Sequence, residues 1–202
     1  MTTEAAAPQP SREIILLRHA PALTQGRVTG RRDVAIADID EDKIRKIASK
    51  IATIDHLVTS PARRCVETAQ RLIKHMEPHC EAGLWEQDFG EWEGLLSAQV
   101  PDIGTLSADA LARYCPPGGE SFAEVCVRVR PVIQALASGK ARRIAVIAHA
   151  GSIRAALAVA LGVDPGVALK FEVAPLSRTK IRAMADGTFA IAYINRITSA
   201  VE

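Results

Sequence analysis

The chain has 202 residues, enough for one domain with a substantial buried core. It is 48% hydrophobic and 24% charged with a formal net charge of +2, a balance typical of globular proteins that gives no sign of nucleic-acid or membrane-surface binding. No stretch reaches the roughly 18 apolar residues of a membrane span. The first eleven residues are small and polar, without the apolar segment of a signal peptide. We therefore predict a cytoplasmic protein with a disordered tail over residues 1–11 and a single domain over 12–202.

Three short apolar runs predict buried strands, at residues 13–17, 56–59 and 144–148. Ile44, Ile47 and Ile51 recur at helical spacing after the first run, behind an acidic start. Ser60-Pro61 predicts a second helix with proline at its first position. The third run is followed by a helix that Gly162 closes. Two further β-rich runs are predicted near residues 170–173 and 189–194.

Residues 95–119 are rich in proline and glycine, which predicts an insertion into the main fold with a short helix near 107–114. Ser121 and Glu124 have the spacing of a capping box, which predicts the start of a further helix. The four cysteines show no paired CxxC spacing and are expected to be reduced.

Strands that alternate with helices predict an α/β fold, a three-layer α/β/α sandwich with a mainly parallel central sheet. Ligands of such sheets bind beyond the carboxyl ends of the strands. Arg18, His19, Ser60 and His149 all follow strand ends, and Arg64 is one turn into the next helix. We therefore expect these side chains to meet at one edge of the sheet.

Two arginines and two histidines at one edge are suited to a phosphate monoester. Arginine matches the geometry of phosphate oxygens, and the helix amino ends after Ser60 and Gly151 add positive charge. A neutral imidazole can attack phosphorus, and a nearby carboxylic acid can protonate the leaving alkoxide. Such chemistry depends on positioning and charge neutralisation, so we predict neither a metal ion nor a cofactor.

Four segments, in order along the chain, resemble the motifs of the histidine phosphatase superfamily, also called the phosphoglycerate mutase-like family. Residues 17–20 resemble LRHG, with Ala20 in place of the glycine. Residues 60–69 resemble S-P-L-x-R-A-x-x-T-A, and residues 84–94 resemble L-x-E-x-D-F-G-x-W-E-G. Residues 147–154 resemble V-S-H-G-G-x-I-R. The resemblance covers about three-quarters of the chain and implies a phosphoglycerate mutase-like fold.

The resemblance also implies a role for each catalytic residue. His19 would become the phosphohistidine, and the phosphoryl oxygens would be held by Arg18, Arg64 and His149. The alignment of the second motif selects Arg64 and leaves Arg63 on the solvent side. Glu86 would be the general acid and then the base that activates water, with Asp88 or Glu91 as alternative carboxylates.

The expected substrate-binding residues, besides the two arginines, lie near the first and last motifs. Thr29 and Gly30 resemble a T/S-G pair that lines the pocket in the family. Gln25 stands at the position of a family asparagine, and Ala150 follows the second histidine. Ser97 occupies a position where phosphoglycerate mutases carry a lysine, which argues against a mutase.

Residues 30–34 and 116–121, together with the third motif, resemble the α-ribazole phosphatase branch of cobalamin synthesis. The sequence therefore predicts a metal-independent phosphomonoesterase for a small phosphorylated metabolite, with α-ribazole 5′-phosphate as the best single guess. A phosphoglycerate mutase is the first alternative. A non-catalytic binding or regulatory module on the same fold is the second. The sequence carries no signal for an oligomeric state.

Overall fold

A computed structural model describes residues 11–198, so the predicted tail lies outside the described residues except for Ser11. One six-stranded sheet runs through this part of the chain in the order β3-β2-β4-β1-β5-β6. Its strands are β1 (Arg12–Arg18), β2 (His56–Thr59), β3 (His79–Cys80), β4 (Arg143–Ala148), β5 (Arg178–Ala183) and β6 (Phe189–Arg196). The first four are mutually parallel, and β5 and β6 are antiparallel to their neighbours.

The described part of the chain contains six helices. They are α1 (Glu41–Lys50), α2 (Arg63–Leu72), α3 (Ala108–Arg113), α4 (Phe122–Ser138), α5 (Ala150–Leu161) and α6 (Pro165–Ala168). Short 3-10 turns occupy Ala82–Leu84, Gly90–Trp92 and Ser97–Gln99. Within residues 11–198, none of the helices has the length and apolar character needed to cross a membrane.

The two faces of the sheet carry separate apolar cores, because successive strand residues point to opposite faces. Ile14 and Leu16 of β1 join the core formed with α4 and α5. Ile15 and Leu17 join the core formed with α1 and α2. The predicted three-layer α/β/α sandwich with a mainly parallel sheet is therefore confirmed.

The three central parallel strands end at the same edge. Arg18 at the end of β1 lies opposite Ala148 at the end of β4, and Thr59 at the end of β2 lies opposite Ile147. The residues that follow these strands are therefore close neighbours, as the sequence predicted.

The start of α2 differs from the prediction. The helix begins at Arg63 with Ala62 as its cap, so Pro61 precedes the helix. Ser60 still belongs to the sheet edge, since its N–H donates to the carbonyl of Ile147 at 3.0 Å. The first helical N–H, that of Arg63, donates to the distant carboxylate of Asp33 at 2.7 Å.

The β-rich run at residues 170–173 is not a strand, so that prediction was wrong. Its carbonyls bond to side chains instead of a neighbouring strand: Phe171 accepts from Arg154 at 2.8 Å and Val173 accepts from Arg18 at 2.6 Å. The strand of this region is β5, whose charged and uncharged residues alternate. The run at 189–194 lies within β6, as predicted.

The segment over residues 95–119 contains one 3-10 turn and α3. Ser107 caps α3 by accepting the N–H of Ala110 at 3.2 Å, which confirms the short helix predicted there. The capping box of Ser121 and Glu124 opens α4, also as predicted.

Candidate active site

His19 and His149 meet where β1 and β4 end. Their ring centroids are 5.1 Å apart in an edge-to-face arrangement. The backbone N–H of His19 donates to the carbonyl of Ala148 at 2.9 Å, which extends the strand pairing by one residue into the site. The sheet itself therefore fixes the separation of the two imidazoles.

The imidazole of His19 is buried and neutral. Burial lowers its pKa to about 3, opposed by the carbonyl of Ala20 and reinforced by the positive charges of Arg64 and Arg18. Nδ1 lies 2.6 Å from that carbonyl, which can only accept, so Nδ1 carries the proton. Nε2 therefore keeps a free lone pair, as a nucleophile requires.

Ala20 fits the position where the family has glycine. It is fully buried, and its N–H donates to the hydroxyl of Thr68 at 3.0 Å. Its φ is not positive, so the backbone imposes no need for glycine. The departure from the motif therefore leaves the backbone next to His19 in place.

His149 is fully buried and holds Arg64. Nδ1 of His149 accepts a hydrogen bond from Nε of Arg64 at 3.2 Å, so its proton is on Nε2, which points at the hydroxyl of Ser60 at 2.9 Å. The indole of Trp85 stacks parallel to the ring with centroids 6.4 Å apart. The thiol of Cys65 lies 3.4 Å from Nε2, and burial raises the pKa of that thiol.

Arg64 is held by backbone carbonyls as well as by His149. Its Nη1 and Nη2 donate to the carbonyls of Arg32 and Gly30 at 2.9 and 2.7 Å. The N–H groups of these same two residues donate to the carboxylate of Glu93. Glu93 thus fixes the loop whose carbonyls orient Arg64. Three of the five guanidinium N–H groups of Arg64 are used in this way.

Arg63 occupies the other side of α2. It is exposed and pairs with Glu67 at 2.6 Å, whereas Arg64 is 1% exposed and faces the histidines. The structure thus puts Arg64, and not Arg63, beside His149.

Arg18 approaches from the end of β1. Burial lowers its pKa, Glu86 opposes this effect, and the nearby charges of Arg154 and Arg64 add to it. Nη1 donates to the carbonyl of Val173 at 2.6 Å, while the buried Nε has no hydrogen-bond partner among the described residues. Buried donors without a partner are rare and unfavourable, so this side of the guanidinium is suited to an anion.

Glu86 lies against the amino end of α5. Its Oε2 accepts the N–H of Gly151 at 3.2 Å, and its Oε1 accepts the N–H of Gln87 at 3.0 Å. A Cβ on Gly151 would come within 2.1 Å of Oε1, so glycine is needed for this approach. The two alternative carboxylates are used or placed elsewhere: Asp88 caps the N–H of Gly90 at 2.8 Å, and Glu91 is exposed.

The four expected substrate-binding residues do not form one group. Gly30 is buried against Gln87 and Glu93 and bonds to Arg64, and Ala150 begins α5 beside His149. The hydroxyl of Thr29 donates back to its own loop, to the carbonyl of Arg27 at 3.0 Å. Gln25 is exposed in a turn with φ +53°. Gly30 and Ala150 therefore adjoin Arg64 and His149, whereas Thr29 and Gln25 lie in the loop that precedes Gly30.

Sequence reasoning missed the residues that support the site, including Glu93, Glu120 and Arg128. Glu93 lies in the motif at residues 84–94, and Glu120 lies in the segment at 116–121. These motifs drew attention to both residues, but they did not indicate what either residue does. Arg128 had no signal beyond being a charged residue on α4. Within the described ranges, no group of three or more His, Cys, Asp or Glu side chains is arranged to hold a metal ion.

The family model of the histidine phosphatase superfamily (branch 1) matches residues 14–196. The chain therefore belongs to that superfamily, and the resemblance of the four motifs is confirmed.

Individual relatives agree with this assignment. Over 195 residues the chain is 28% identical to the bifunctional protein Rv2228c of Mycobacterium tuberculosis, covering 91% of this chain and 53% of that protein. The chain thus spans about half the length of that relative. It is 29% identical over 169 residues to a glucosyl-3-phosphoglycerate phosphatase of Mycolicibacterium vanbaalenii, covering 75% of each.

A solved structure shares the fold. It is an Escherichia coli protein provisionally named as an alpha-ribazole-5'-P phosphatase, which superposes with a TM-score of 0.80 at 18% identity and covers 96% of this chain and 100% of that chain.

Proposed function

We propose that this chain is a metal-independent phosphomonoesterase that transfers the phosphoryl group of a small metabolite through His19 to water. The observation that carries this proposal is the neutral imidazole of His19, free at Nε2 and flanked by Arg18 and Arg64. Among residues 11–198, neither arginine has a carboxylate within ion-pair distance. Their positive charge is therefore available to a phosphate dianion.

In the first step the lone pair on Nε2 of His19 attacks phosphorus. The bond from phosphorus to the ester oxygen breaks, and the departing alkoxide takes a proton from the carboxyl group of Glu86. Arg18 and Arg64 stabilise the charge on the phosphoryl oxygens. Nδ1 keeps its proton throughout, because it donates a hydrogen bond to the carbonyl of Ala20.

In the second step water attacks the phosphohistidine and gives its proton to the carboxylate of Glu86. The bond from phosphorus to Nε2 breaks, inorganic phosphate leaves, and His19 regains its lone pair. Glu86 ends the cycle protonated, as it began. His149 has the role that the family resemblance implies, a contact with the phosphoryl oxygens, and it also orients Arg64 through the hydrogen bond at its Nδ1.

The expected substrate is an alkyl phosphate with a sugar group. The motifs favour α-ribazole 5′-phosphate, and the relative at 29% identity supports glucosyl-3-phosphoglycerate as a second candidate. Both release a strongly basic alkoxide, which is the kind of leaving group that needs the proton of Glu86.

The test of the mechanism is turnover of p-nitrophenyl phosphate with and without EDTA, together with acid-labile labelling of the enzyme by a radioactive phosphate ester. We expect full activity in EDTA, inhibition by vanadate, and a label that is lost in His19→Ala. Loss of turnover on chelation, restored by one added divalent ion, would contradict the metal-free mechanism.

A substrate panel separates the alternatives. A phosphatase releases inorganic phosphate from α-ribazole 5′-phosphate or glucosyl-3-phosphoglycerate, whereas a mutase interconverts 2- and 3-phosphoglycerate. Ser97 stands where mutases carry lysine and supplies no positive charge there, which supports the phosphatase. Its hydroxyl donates to the carbonyl of Gly26 at 3.1 Å. No turnover of any ester, with phosphate still bound, would favour the non-catalytic module.

A further inference from the structure

The segment that carries Glu86 has no regular secondary structure of its own. Residues 85–89 connect two 3-10 turns, and the side chains of Trp85 and Glu86 lie against His149 and Gly151. Its carbonyls therefore need partners from outside the segment to hold one conformation. Such a segment does not fix a general acid unless another element supports it.

Arg128 of α4 supplies the partners of Trp85 and Glu86, and it also binds the carbonyl of Gly83 just before the segment. Nη1 donates to the carbonyls of Gly83 and Trp85, both at 2.8 Å, and Nη2 donates to the carbonyl of Glu86 at 3.0 Å. One planar guanidinium thus binds three carbonyls within four residues of the chain, one of them that of the proposed acid itself. The fixed fork of arginine allows this, and the single ammonium of lysine does not.

Glu120 holds Arg128 in that orientation. Its two carboxylate oxygens accept from Nε and Nη2 of Arg128 at 3.0 and 2.6 Å, and Oε1 also accepts the N–H of Asp88 at 3.0 Å. Burial by itself would raise the pKa of Glu120, but the hydrogen bonds and charge of Arg128, the N–H of Asp88 and the charge of Arg31 together lower it. The backbone carbonyl of Glu120 accepts the side-chain amide of Gln87 at 2.8 Å. Arg128 and Glu120 therefore bind the segment on both sides of Glu86, at Trp85 and at Gln87 and Asp88.

We propose that Arg128 is a positioning residue for the general acid, holding the backbone of Glu86 so that its carboxyl group meets the leaving oxygen. This inference rests on the proposed function, since it assumes that Glu86 protonates the leaving group. Arg128 contacts the carbonyls of the segment and none of the proposed reacting atoms, so it acts through Glu86.

The rest of α4 does not depend on Arg128. The helix is anchored by fully buried residues of its apolar face, Val125, Val129 and Ile133. Replacing Arg128 by lysine keeps the charge and much of the apolar stem while removing the fork. We therefore expect the Arg128→Lys variant to fold and the segment around Glu86 to lose its fixed position.

The experiment compares kcat/KM for glycerol phosphate and for p-nitrophenyl phosphate, because kcat/KM reports the step that expels the leaving group. The variants are Arg128→Lys, Glu86→Gln and the double variant. Arg130→Lys is the matched control, an exposed arginine on the same helix. Arg128→Lys should lower kcat/KM for glycerol phosphate by roughly 10- to 100-fold and for p-nitrophenyl phosphate by less than about threefold. Adding it to Glu86→Gln should cost little more, and Arg130→Lys should change neither substrate.

Three outcomes are informative. An equal loss on both substrates in Arg128→Lys, while Glu86→Gln discriminates between them, would overturn the positioning role and leave Arg128 as a structural residue. A Glu86→Gln variant that does not discriminate would overturn the proposed acid and this inference with it. If Arg128→Lys proves unstable, Glu120→Gln removes the clamp and retains Arg128. It should then show the same substrate pattern, and an equal loss on both substrates would again overturn the role.

Discussion

Nε of Arg64 donates to Nδ1 of His149 at 3.2 Å, and both side chains are buried. The bond sets the tautomer of the histidine and the direction of the guanidinium together. Because the partner is an uncharged ring, the orientation of Arg64 is fixed without neutralising its charge.

This relationship predicts a strong asymmetry between two adjacent arginines. Arg64→Ala should lower kcat/KM by about 10²–10³-fold, the usual effect of losing a donor to the transition state. Arg63→Ala removes only an exposed ion pair with Glu67 and should change kcat/KM by less than about threefold. Steady-state kinetics on one ester checks both, and a larger loss from Arg63→Ala would mean that the phosphate binds on the other side of α2.

His19→Ala should abolish turnover and retain the fold, because it removes the nucleophile and leaves the backbone contact with Ala148 intact. Residual activity should be below about one hundredth of wild type. His75→Ala is the matched control, since His75 is exposed beyond the end of α2. Retention of activity in purified His19→Ala would rule out the phosphohistidine.

Gly151→Ala should weaken general-acid catalysis by displacing Glu86. The added Cβ would lie 2.1 Å from Oε1, so the carboxylate has to move and lose the N–H of Gly151. Alanine favours a helix over glycine, so the fold should not suffer from this change. We expect kcat/KM for an alkyl phosphate to fall about tenfold or more. Combining it with Glu86→Gln should add almost nothing, and fully additive losses would show that Gly151 acts elsewhere.

The buried histidine predicts a dependence of stability on pH. The pKa of His19 is lowered from 6.5 to about 3, so between these values the unfolded chain holds a proton that the folded chain does not. The contribution of neutral His19 to the stability of the folded chain is therefore fully present above pH 6.5, and it is lost as the pH falls toward 3. From pH 7 to pH 5, His19 should account for about 2 kcal/mol of lost stability.

Urea unfolding at these two pH values measures that loss directly. His19→Gln should lose about 2 kcal/mol less than wild type between pH 7 and pH 5. His75→Gln should behave as wild type. His149 is also buried neutral, its pKa lowered by burial and by Arg64, so the variant should still show part of the effect. Identical losses in wild type and His19→Gln would mean that His19 is protonated in the folded state.

The strands that deliver the histidines were predictable from sequence because each is a short apolar run that stops at a polar residue. Parallel pairing then brings their ends together, whatever the loops do. The strand β5 was not predictable in this way, since Arg178, Lys180 and Arg182 occupy every second position and leave no continuous apolar run. The run at 170–173 was wrongly predicted as a strand because its apolar side chains are packed as those of a strand would be. Its carbonyls, however, accept from the side chains of Arg18 and Arg154 and not from a neighbouring strand.

The supporting residues were beyond sequence reasoning for a physical reason. Arg128 reaches carbonyls more than forty positions earlier, and Glu93 accepts N–H groups more than sixty positions earlier. These partners are backbone groups, which every residue has, so no residue type marks them. Only the folded loops show which carbonyls and N–H groups face each other.

Glu93 helps to orient Arg64 through the backbone between them, without a hydrogen bond of its own to the guanidinium. The carboxylate binds the N–H groups of Gly30 and Arg32, and the carbonyls of those residues bind the guanidinium. Peptide dipoles are thus interposed between the negative and the positive group, and they transmit orientation while leaving the full positive charge on Arg64. A direct ion pair would have held the arginine equally well but would have competed with phosphate for it. In the proposed mechanism, phosphate therefore meets a guanidinium that is already oriented and that pairs with no carboxylate among residues 11–198, so binding displaces no carboxylate from it.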